Sequence, residues 1–550
     1  MGEPAGASRV AILARDLTWA DESGGVLPFS YAARTLHASL LSAPDLSDVE
    51  SVVIDLKSDD PEVFFEQLRE FRPTLVAAST YIWSLHVFCR LAERVRRWDP
   101  SVRFILGGPA ARPAVFALAP YRPYARFIDG LVIGEGEEAI REATRRHRAA
   151  DWPRGVPGLL AQSPLGWRPA PLVSKPELDD YPSPYQLGVV PQDSIGFLET
   201  FRGCPISCAF CQWGDEAGTR VHSAEYLASH LRGMKDAGVE TIYLLDAGFN
   251  LSSRAFRSLR AAEREAQVLK DIKVLGHLYP TYVKDEHLEF FNEIGQVEIN
   301  VGLQSLDPDV LKRLGRPFDI PRFERLLGEI GGHSEVTLEI ILGLPGDNAE
   351  SFRRTLDRAM ELTSLVRVFY CLALPDALLD RAEEFNVVFD PDTFMVASCD
   401  GWSEPVLTRE WERVRELART MGRPNFGPNW LDFRTGVSAG ARERRSEPPA
   451  VPELLGGASA WLRAEALAAN PRWELGEIRR HPGRVILEFS QGLVLEVAAV
   501  DPGAERRSFM QVGGLAFSYQ GQLPDERVRD VRAFLERFAP VVAGRSIDEL

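Results

Sequence analysis

Short apolar runs alternate with amphipathic stretches over the first 150 residues of the chain. Runs of β-branched and other apolar residues predict buried strands, and apolar residues that recur every three or four positions predict helices. Strands that alternate with helices in this way form a parallel, doubly wound sheet, so residues 1–150 are predicted to be an α/β domain of that type. The predicted strands are Arg9 to Ala14, Val52 to Ile54, Leu75 to Ser79, Phe104 to Leu106 and Gly130 to Ile133, and the predicted helices are Phe29 to Leu41, Pro61 to Phe71 and Ser84 to Trp98.

The ligand of a doubly wound sheet binds beyond the carboxyl ends of its strands. We therefore expect a ligand to contact the segments that directly follow the predicted strands. These segments are Ser79-Thr80-Tyr81, Gly107-Gly108-Pro109 and Gly134-Glu135-Gly136-Glu137.

The pattern changes after the first domain. Residues 151–193 are rich in Pro, Gly and Ser and are interpreted as a linker or lid. Strand and helix then repeat about six times over residues 194–400, which predicts a partial (βα)6 TIM-like barrel. The predicted barrel strands are Ser194 to Glu199, Thr241 to Leu245, Ile272 to His277, Val297 to Val301, Val336 to Leu342 and Val366 to Cys371.

Residues 401–550 change character again, with tryptophans spread among polar and Pro-rich stretches. Alternating positions predict strands at Arg484 to Phe489 and Leu493 to Val497, and a final helix is predicted near Pro524 to Phe538. We expect a small α+β carboxyl-terminal domain here. This domain and the lid are expected to carry the groups that recognise the substrate.

Charge and composition restrict the function. The formal net charge of -16 argues against a nucleic-acid partner, because binding to phosphates needs a clustered excess of Lys and Arg. The basic runs at 94–97 and 145–148 are interpreted as solvated helix faces. No apolar run is long enough to span a bilayer and the amino terminus lacks a signal-peptide pattern, so we expect a cytoplasmic protein without a membrane partner.

Three of the six cysteines, Cys204, Cys208 and Cys211, follow a predicted strand with C-x3-C-x2-C spacing. Three thiolates this close can bind three irons of a cubane and leave the fourth iron without a protein ligand, open to substrate chemistry. The alternative is a structural zinc site, which needs four closed ligands and typically two paired clusters. No second pair is present, because the other cysteines are isolated and are interpreted as small buried residues: Cys89, Cys371 and Cys399.

This loop, and the segment 194–374 around it, resembles the radical S-adenosylmethionine (SAM) superfamily. The resemblance implies that a 4Fe-4S cluster on the three cysteines binds SAM and cleaves it to a 5′-deoxyadenosyl radical. It also implies further cofactor contacts, at Asp246 for the SAM amino group, at Asn300 and Gln304 in a fourth-strand signature followed by Arg316, and at Glu339 and Leu344 in a strand and Gly-Leu-Pro-Gly turn toward the adenine.

Residues 8–148 resemble the cobalamin-binding domain of cobalamin-dependent radical SAM enzymes. The resemblance implies that glycines approach the cofactor tail and that a hydroxyl bonds to its nucleotide. The implied contacts are Ser79, Thr80, Gly107, Gly108, Gly134 and Glu135. The Asp-x-His-x-x-Gly motif that supplies a histidine to cobalt is absent, so cobalamin is expected to bind with its lower face unligated or water-ligated. A degenerate domain without a corrin is the alternative, and a nicotinamide site is disfavoured because no G-x-G-x-x-G follows the first strand.

The pairing of these domains implies a methyltransferase that acts on an unactivated carbon, or on phosphorus, of a small molecule or peptide. The alternatives are a cobalamin-dependent rearrangement or cyclisation and a non-catalytic cobalamin- or metal-binding protein. An RNA methylthiotransferase is disfavoured, because it needs a second cysteine cluster before Cys204 and residues 1–203 contain only Cys89. Tyr243 or Glu339 could position the substrate, and no residue is assigned as catalytic. A flavodoxin or ferredoxin is the expected electron donor.

Overall fold

A computed structural model describes the chain in segments, and its contacts divide the chain into two compact units, Met1–Arg442 and Glu443–Leu550. Each unit is considered by itself. The described residues are 8–15, 29–168, 176–192, 194–215, 220–316, 319–435, 475–481, 484–489, 493–499, 510–512, 515–519 and 534–535.

The first sheet of the larger unit confirms the predicted doubly wound α/β domain. Its five parallel strands stand in the order β2-β1-β3-β4-β5. The strands are β1 (Arg9–Ala14), β2 (Glu50–Asp55), β3 (Leu75–Ser79), β4 (Arg103–Gly107) and β5 (Gly130–Val132). The helices are α1 (Tyr31–Leu41), α2 (Pro61–Phe71), α3 (Leu85–Trp98), α4 (Pro113–Ala117) and α5 (Glu137–Arg148).

Helices cover both faces of this sheet, because successive side chains of a strand point to opposite faces. Ala11 and Leu13 of β1 pack in a core with α2 and α3, whereas Val10 and Ile12 pack in a second core with α1 and α5. The arrangement accounts for the nearly continuous apolar strands, since a parallel sheet is buried on both sides.

Part of the expected linker extends this sheet. Strands β6 (Leu159–Ser163) and β7 (Gly166–Arg168) add to β5 in antiparallel order. The remaining described residues, 176–192, contain no strand and include a short 3-10 helix, Leu178–Asp180.

The second sheet carries six parallel strands, as the predicted partial barrel requires. The order is β8-β11-β12-β13-β14-β15, and two antiparallel strands, β19 and β18, follow β15. The parallel strands are β8 (Gly196–Leu198), β11 (Thr241–Leu244), β12 (Lys273–His277), β13 (Val297–Gln304), β14 (Glu335–Leu342) and β15 (Leu365–Tyr370). The other strands of this region are β9 (Phe201–Arg202), β10 (Arg220–Val221), β16 (Val388–Phe389), β17 (Val396–Ser398), β18 (Gly422–Phe426) and β19 (Trp430–Arg434).

Helices follow the barrel strands along the chain. They are α6 (Ala224–Asp236), α7 (Ser253–Ala266), α8 (Asp285–Glu293), α9 (Pro308–Arg313), α10 (Ile320–Gly331), α11 (Ala349–Leu362) and α12 (Glu404–Thr420). Residues of β13 alternate strictly, with Val297 and Ile299 buried and Glu298 and Asn300 partly exposed. The alternation places the polar residues of β13 on the face of the sheet that the apolar core does not cover.

The barrel sheet continues past residue 400, where the sequence predicted a domain boundary. Strand β19 pairs with β15 from Phe369–Trp430 to Leu365–Arg434. The smaller unit contains a five-stranded antiparallel sheet in the order β20-β21-β22-β24-β23. Its strands are β20 (Leu475–His481), β21 (Arg484–Phe489), β22 (Leu493–Ala499), β23 (Met510–Val512) and β24 (Leu515–Tyr519). The helix predicted near Pro524 to Phe538 lies almost entirely outside the described residues.

The basic runs lie on helices, as predicted, and the structure shows that some of their side chains pair with acidic residues. Arg94 pairs with Glu62 at 3.1 Å, and Arg145 pairs with Asp45 at 2.8 Å. No described helix is long and apolar enough to cross a membrane.

Candidate functional site

The three clustered cysteines lie in a loop that leaves β9 and ends at a short 3-10 helix, Gln212–Asp215. Gly203 begins the loop with φ of 100°, a conformation that glycine adopts without strain. Burial and the neighbouring Cys208 and Cys204 together raise the pKa of Cys211 to about 11. A thiol with so high a pKa stays protonated at neutral pH, so a positively charged centre is needed to hold Cys211 as a thiolate.

The other cysteines are buried in apolar cores, as predicted. Cys89 lies in the core of the first sheet, and Cys371 and Cys399 lie in that of the barrel. In the described part of the chain, no three His, Cys, Asp or Glu side chains converge as ligands of a single metal ion would. The three thiols on one loop match the donor set of a cluster, in which each thiolate binds a different iron.

Arg316 joins the cysteine loop to the fourth-strand signature. Its guanidinium lies 3.6 Å from the Cys208 sulfur and donates to the Gly302 carbonyl at 2.7 Å. It also stacks over the Tyr279 ring, 4.5 Å from the ring centroid. The sequence contained Arg316 in the signature without giving it a role, and nothing in the sequence pointed to Tyr279.

Two buried polar atoms beside Cys208 have no hydrogen-bond partner among the described residues. They are Arg316 Nε, a donor, and Gln304 Oε1, an acceptor. Both side chains reach the space over Gly302, where a Cβ would lie 2.5 Å from Gln304 Nε2 and 3.2 Å from an Arg316 nitrogen. Because buried polar groups are normally paired, a ligand that offers both an acceptor and a donor is expected here. The carboxylate and amino groups of the methionine part of SAM fit these requirements.

Asp246 makes different contacts from those the resemblance implied. Its carboxylate accepts hydrogen bonds from Thr200 N at 2.8 Å, Thr200 Oγ1 at 2.6 Å and Phe201 N at 3.3 Å. Burial raises the pKa of Asp246 to about 7, although the bonds from Thr200 oppose the shift. These bonds fix the backbone that leads into the cysteine loop, and a bond to the SAM amino group stays a prediction.

Glu339 forms the centre of a buried polar group on the inner face of the barrel. It pairs with Arg367 at 3.2 Å and lies 3.7 Å from His277 Nε2. Burial would raise the pKa of Glu339, but His277 and Arg367 outweigh it, and the pKa is lowered. Burial and the nearby Glu339 raise the pKa of Tyr243 to about 12, whereas a hydrogen bond with Asn300 opposes this shift.

Leu344 offers only its backbone to a ligand at the Gly-Leu-Pro-Gly turn. The side chain is fully buried. The Leu344 carbonyl accepts from Trp402 Nε1 at 3.1 Å and from Asp347 N at 3.1 Å. These bonds fix the turn against the core, and a contact of Leu344 with the adenine stays a prediction.

At the carboxyl end of β3, Ser79 and Thr80 are buried and complete the turn themselves. The Thr80 hydroxyl donates to the Ala78 carbonyl at 3.2 Å, and the Thr80 N–H donates to the Gly107 carbonyl at 2.7 Å. Gly108 has φ of 93°, and a Cβ there would lie 2.7 Å from the Thr80 carbonyl oxygen. These contacts give Thr80 and Gly108 a role in the turn, and a cofactor contact of their side chains stays a prediction.

Gly107 and Gly134 leave space for a ligand. A Cβ at Gly107 would meet only Val132 among the described residues, at 3.7 Å, and a Cβ at Gly134 would meet none within 4 Å. Open backbone at the carboxyl ends of β4 and β5 fits a large cofactor that the main chain can approach closely.

The Glu135 side chain contacts residues on either side of the cysteine loop, and its contact with cobalamin stays a prediction. It pairs with Arg202 at 3.3 Å and with Arg220, and the Tyr181 hydroxyl donates to it at 3.3 Å. These partners lie far along the chain, so no sequence signal could have revealed them. The same contacts bring the carboxyl ends of the first sheet toward the cysteine loop.

The structure thus has two candidate cofactor sites. One is the open backbone at the carboxyl ends of β4 and β5, and the other is the three-cysteine loop that follows β9. A family model described as the Radical SAM superfamily matches residues 198–359, and one described as the B12 binding domain matches residues 30–144. The chain therefore carries a radical SAM domain that follows a B12-binding domain. Radical SAM proteins use a 4Fe-4S cluster and SAM, and the cobalamin-binding domain adds cobalamin to these cofactors.

Two proteins to which this chain is similar are named as methyltransferases. The 2-(S-pantetheinyl)-carbapenam-3-carboxylate methyltransferase of Streptantibioticus cattleyicolor is 30% identical over 338 residues, which cover 57% of this chain and 49% of that protein. The cobalamin-dependent radical SAM methyltransferase TokK of Streptomyces tokunonensis is 29% identical over 343 residues, with the same two coverages. The matched segment therefore spans about half the length of each relative.

The fold is also similar to that of a solved structure. The radical S-adenosylmethionine methyltransferase TsrM from Kitasatospora setae, with tryptophan and a SAM analog bound, matches with a TM-score of 0.56 and 18% sequence identity. The match covers 70% of this chain and 77% of that one. The likeness supports the arrangement of the two sheets.

Proposed function

We propose that this chain is a cobalamin-dependent radical SAM methyltransferase that methylates an unactivated carbon of a small molecule or peptide. The observation that carries the proposal is the pair of unpartnered atoms, Gln304 Oε1 and Arg316 Nε, beside the Cys208 thiol. A three-thiol loop with an adjacent site for an amino-acid head group is suited to SAM on a cluster. The names of the two methyltransferase relatives support methyl transfer.

The cluster, when bound, supplies the electron that cleaves SAM to a radical, and cobalamin, when bound, carries the methyl group. The residues of the chain bind and orient SAM. Arg316 is placed to neutralise the carboxylate of the SAM methionine, and Gln304 to accept from its amino group. Phe210, between two of the cysteines, packs against the barrel core and helps to exclude water from the loop.

The substrate is proposed to lie over the inner face of the barrel, where Tyr243, Asn300 and Glu339 come together. An electron donor such as flavodoxin or ferredoxin is proposed, because reductive cleavage of SAM consumes one electron. All six cysteines are free thiols. This fits a reducing compartment, and we place the protein in the cytoplasm.

The test is the fate of methyl-labelled SAM on anaerobically reconstituted chain with hydroxocobalamin and a chemical reductant. A methyltransferase should give S-adenosylhomocysteine, label on the corrin and 5′-deoxyadenosine. Formation of 5′-deoxyadenosine without S-adenosylhomocysteine would favour a rearrangement or cyclisation. A chain that binds cobalamin and iron but cleaves no SAM would be a non-catalytic binding protein.

A further inference from the structure

Contacts with the amino-terminal sheet domain are placed at both ends of the cysteine loop. Arg202 lies two residues before Cys204, and Gln212 directly follows Cys211. Each of these side chains contacts the amino-terminal sheet domain. The loop that carries the thiols is therefore held by the neighbouring domain at its entry and at its exit.

The contact at the entry is an ion-pair group built around Arg202. Its guanidinium pairs with Glu199 at 2.9 Å, with Glu137 at 2.5 Å and with Glu135 at 3.3 Å. Glu137 begins α5 and is almost fully buried, with 6% of its side chain exposed, and 19% of the Arg202 side chain is exposed. Salt screens buried ion pairs only weakly. The pairs of Arg202 therefore fix the position of its guanidinium relative to α5.

The contact at the exit uses the amide of Gln212. Gln212 Nε2 donates to the Pro109 carbonyl at 3.3 Å and to the Pro375 carbonyl at 2.8 Å. Pro109 follows β4 of the first sheet, and Pro375 follows β15 of the barrel. The amide thus joins the carboxyl ends of two strands from different sheets at the residue next to a cysteine.

A second ion pair lies beside this amide. Arg112 pairs with Asp376 at 2.5 Å and also donates to the Gly108 carbonyl at 3.1 Å. Gly108 and Pro109 belong to the turn whose neighbour Gly107 leaves space for a ligand. The exit of the cysteine loop is therefore tied to the turn that the cofactor of the first sheet would approach.

We infer that Arg202 and Gln212 are positioning residues that fix the separation between the cluster and the cobalamin. The inference rests on the proposed function. Between these two residues the loop has no helix or strand of its own. Its middle is tied to the barrel by the bond from Ala209 N to the Leu314 carbonyl at 2.9 Å, and Arg202 and Gln212 tie its two ends to the amino-terminal domain. A displacement of about 1 Å between reacting groups can cost about 100-fold in rate, so two side chains that hold the loop have a large effect without touching substrate.

The test variant is Gln212→Leu, which removes both hydrogen bonds at nearly unchanged size and charge. Arg202 is less suitable, because its removal would leave three carboxylates without their common partner. The matched control is Gln186→Leu, since the Gln186 amide, in the segment before the barrel, donates to Ser229 of α6. Iron content near four per chain and unchanged thermal unfolding would show that both variants keep the fold and the cluster.

The first measurement uses the chain without cofactors. Hydrogen exchange of the backbone in peptides covering 107–112 and 204–213 should be faster in Gln212→Leu than in wild type, by about tenfold, and unchanged in Gln186→Leu. Equal exchange in all three proteins would overturn the inference. This arm does not depend on whether cobalamin binds.

The second measurement uses protein loaded with cluster and cob(II)alamin. Pulsed electron paramagnetic resonance should give one narrow distance between the two paramagnets in wild type and a broader or longer one in Gln212→Leu, with cobalamin affinity unchanged. An identical, narrow distance in both proteins would overturn the inference and leave the proposed function standing. A wild type that binds no cobalamin would overturn the proposed function itself, and with it the inferred spacing.

Discussion

The carboxyl ends of the barrel strands and those of the amino-terminal sheet differ in how completely their polar atoms are bonded. At the barrel, Gln304 Oε1 and Arg316 Nε are buried without partners among the described residues. At the sheet, Thr80 donates with both its hydroxyl and its N–H to backbone carbonyls. An unpaired buried polar atom lowers the free energy of unfolding by about 1–3 kcal/mol. The barrel site therefore needs a ligand to pair its polar atoms, whereas the Thr80 turn of the sheet does not.

The comparison shows that a sequence motif can locate a binding site without showing which of its atoms contact the ligand. The hydrogen bonds in the folded chain show which polar groups of the motif are already paired within the turn. In the barrel the free groups are side chains, suited to a small charged ligand. In the sheet the free surface is backbone at Gly107 and Gly134, suited to close approach by a large cofactor.

The strongest test of the barrel site removes the thiols. The triple variant Cys204→Ala, Cys208→Ala, Cys211→Ala should hold no cluster after anaerobic reconstitution, because the other three cysteines are buried in apolar cores. Iron and sulfide analysis measures the loss. Cys89→Ala, Cys371→Ala and Cys399→Ala should each keep about four irons per chain, the content of one 4Fe-4S cluster. Four irons in the triple variant would disprove the site.

The next test removes the charge of the unpartnered donor. Arg316→Met should weaken SAM binding by about 10- to 100-fold, because a charge-assisted hydrogen bond contributes about 1.5–3 kcal/mol. Equilibrium dialysis on reconstituted protein measures the affinity, and iron content should stay unchanged. The matched control is Arg358→Met, since Arg358 pairs with Glu324 at 2.8 Å on the barrel surface. Wild-type affinity in Arg316→Met would show that unpaired atoms are a poor guide to this site.

The third test compares two neighbouring glycines of the first sheet, Gly107, which has space for a side chain, and Gly108, which has none. Gly107→Leu should fold, since its Cβ meets only Val132 at 3.7 Å among the described residues, and should lower hydroxocobalamin affinity by about tenfold, or about 1.4 kcal/mol. Gly108→Ala should instead lose stability, because its Cβ would lie 2.7 Å from the Thr80 oxygen. Spectral titration and thermal unfolding distinguish the two effects. A Gly107→Leu chain that folds and binds cobalamin normally would place the cofactor on another face.

Much of the fold was predictable because its strands are buried on both faces. Leu75–Ser79 and Arg9–Ala14 have the predicted bounds, and each is an uninterrupted apolar run ended by a polar residue or loop. Antiparallel edge strands were missed. Strand β7 has only three residues, and β19 lies in a stretch whose tryptophan and charged residues gave no strand pattern of their own.

The candidate site was also predictable only in part. Cysteine spacing predicted the thiol loop because the three residues are neighbours in sequence. The family resemblance assigned Asp246 and Glu135 to cofactors, and the structure adds bonds to Thr200 and Arg202, which lie far away along the chain. Only the folded structure brings such partners together, so spacing alone could not tell a ligand from a structural carboxylate.

Asp246 is the exception within the barrel, since it is bonded as fully as Thr80 is in the sheet, and it gives the smallest expected effect. If its carboxylate served SAM, Asp246→Asn would weaken SAM binding about tenfold, whereas a structural role predicts a change within about twofold. We expect the second outcome, measured by the same equilibrium dialysis. A tenfold loss would restore the contact that the family resemblance implied.

Stability against pH supplies the second readout for Asp246. Burial raises its pKa from 3.8 to about 7, so between these values the folded chain keeps a proton that the unfolded chain releases. Stability therefore falls as pH rises from 4 to 7, by about 1.4 kcal/mol per pH unit for this one group, and levels off above 7. Asp246→Asn should lack that slope in urea unfolding at pH 5 and pH 7.

Asp45→Asn is the control, because Arg145 lowers the pKa of Asp45, whose contribution changes only below pH 4. Equal slopes in wild type and Asp246→Asn would mean that the Asp246 carboxylate is ionised throughout this range, and that Asp246 holds a charge at the entry to the cysteine loop.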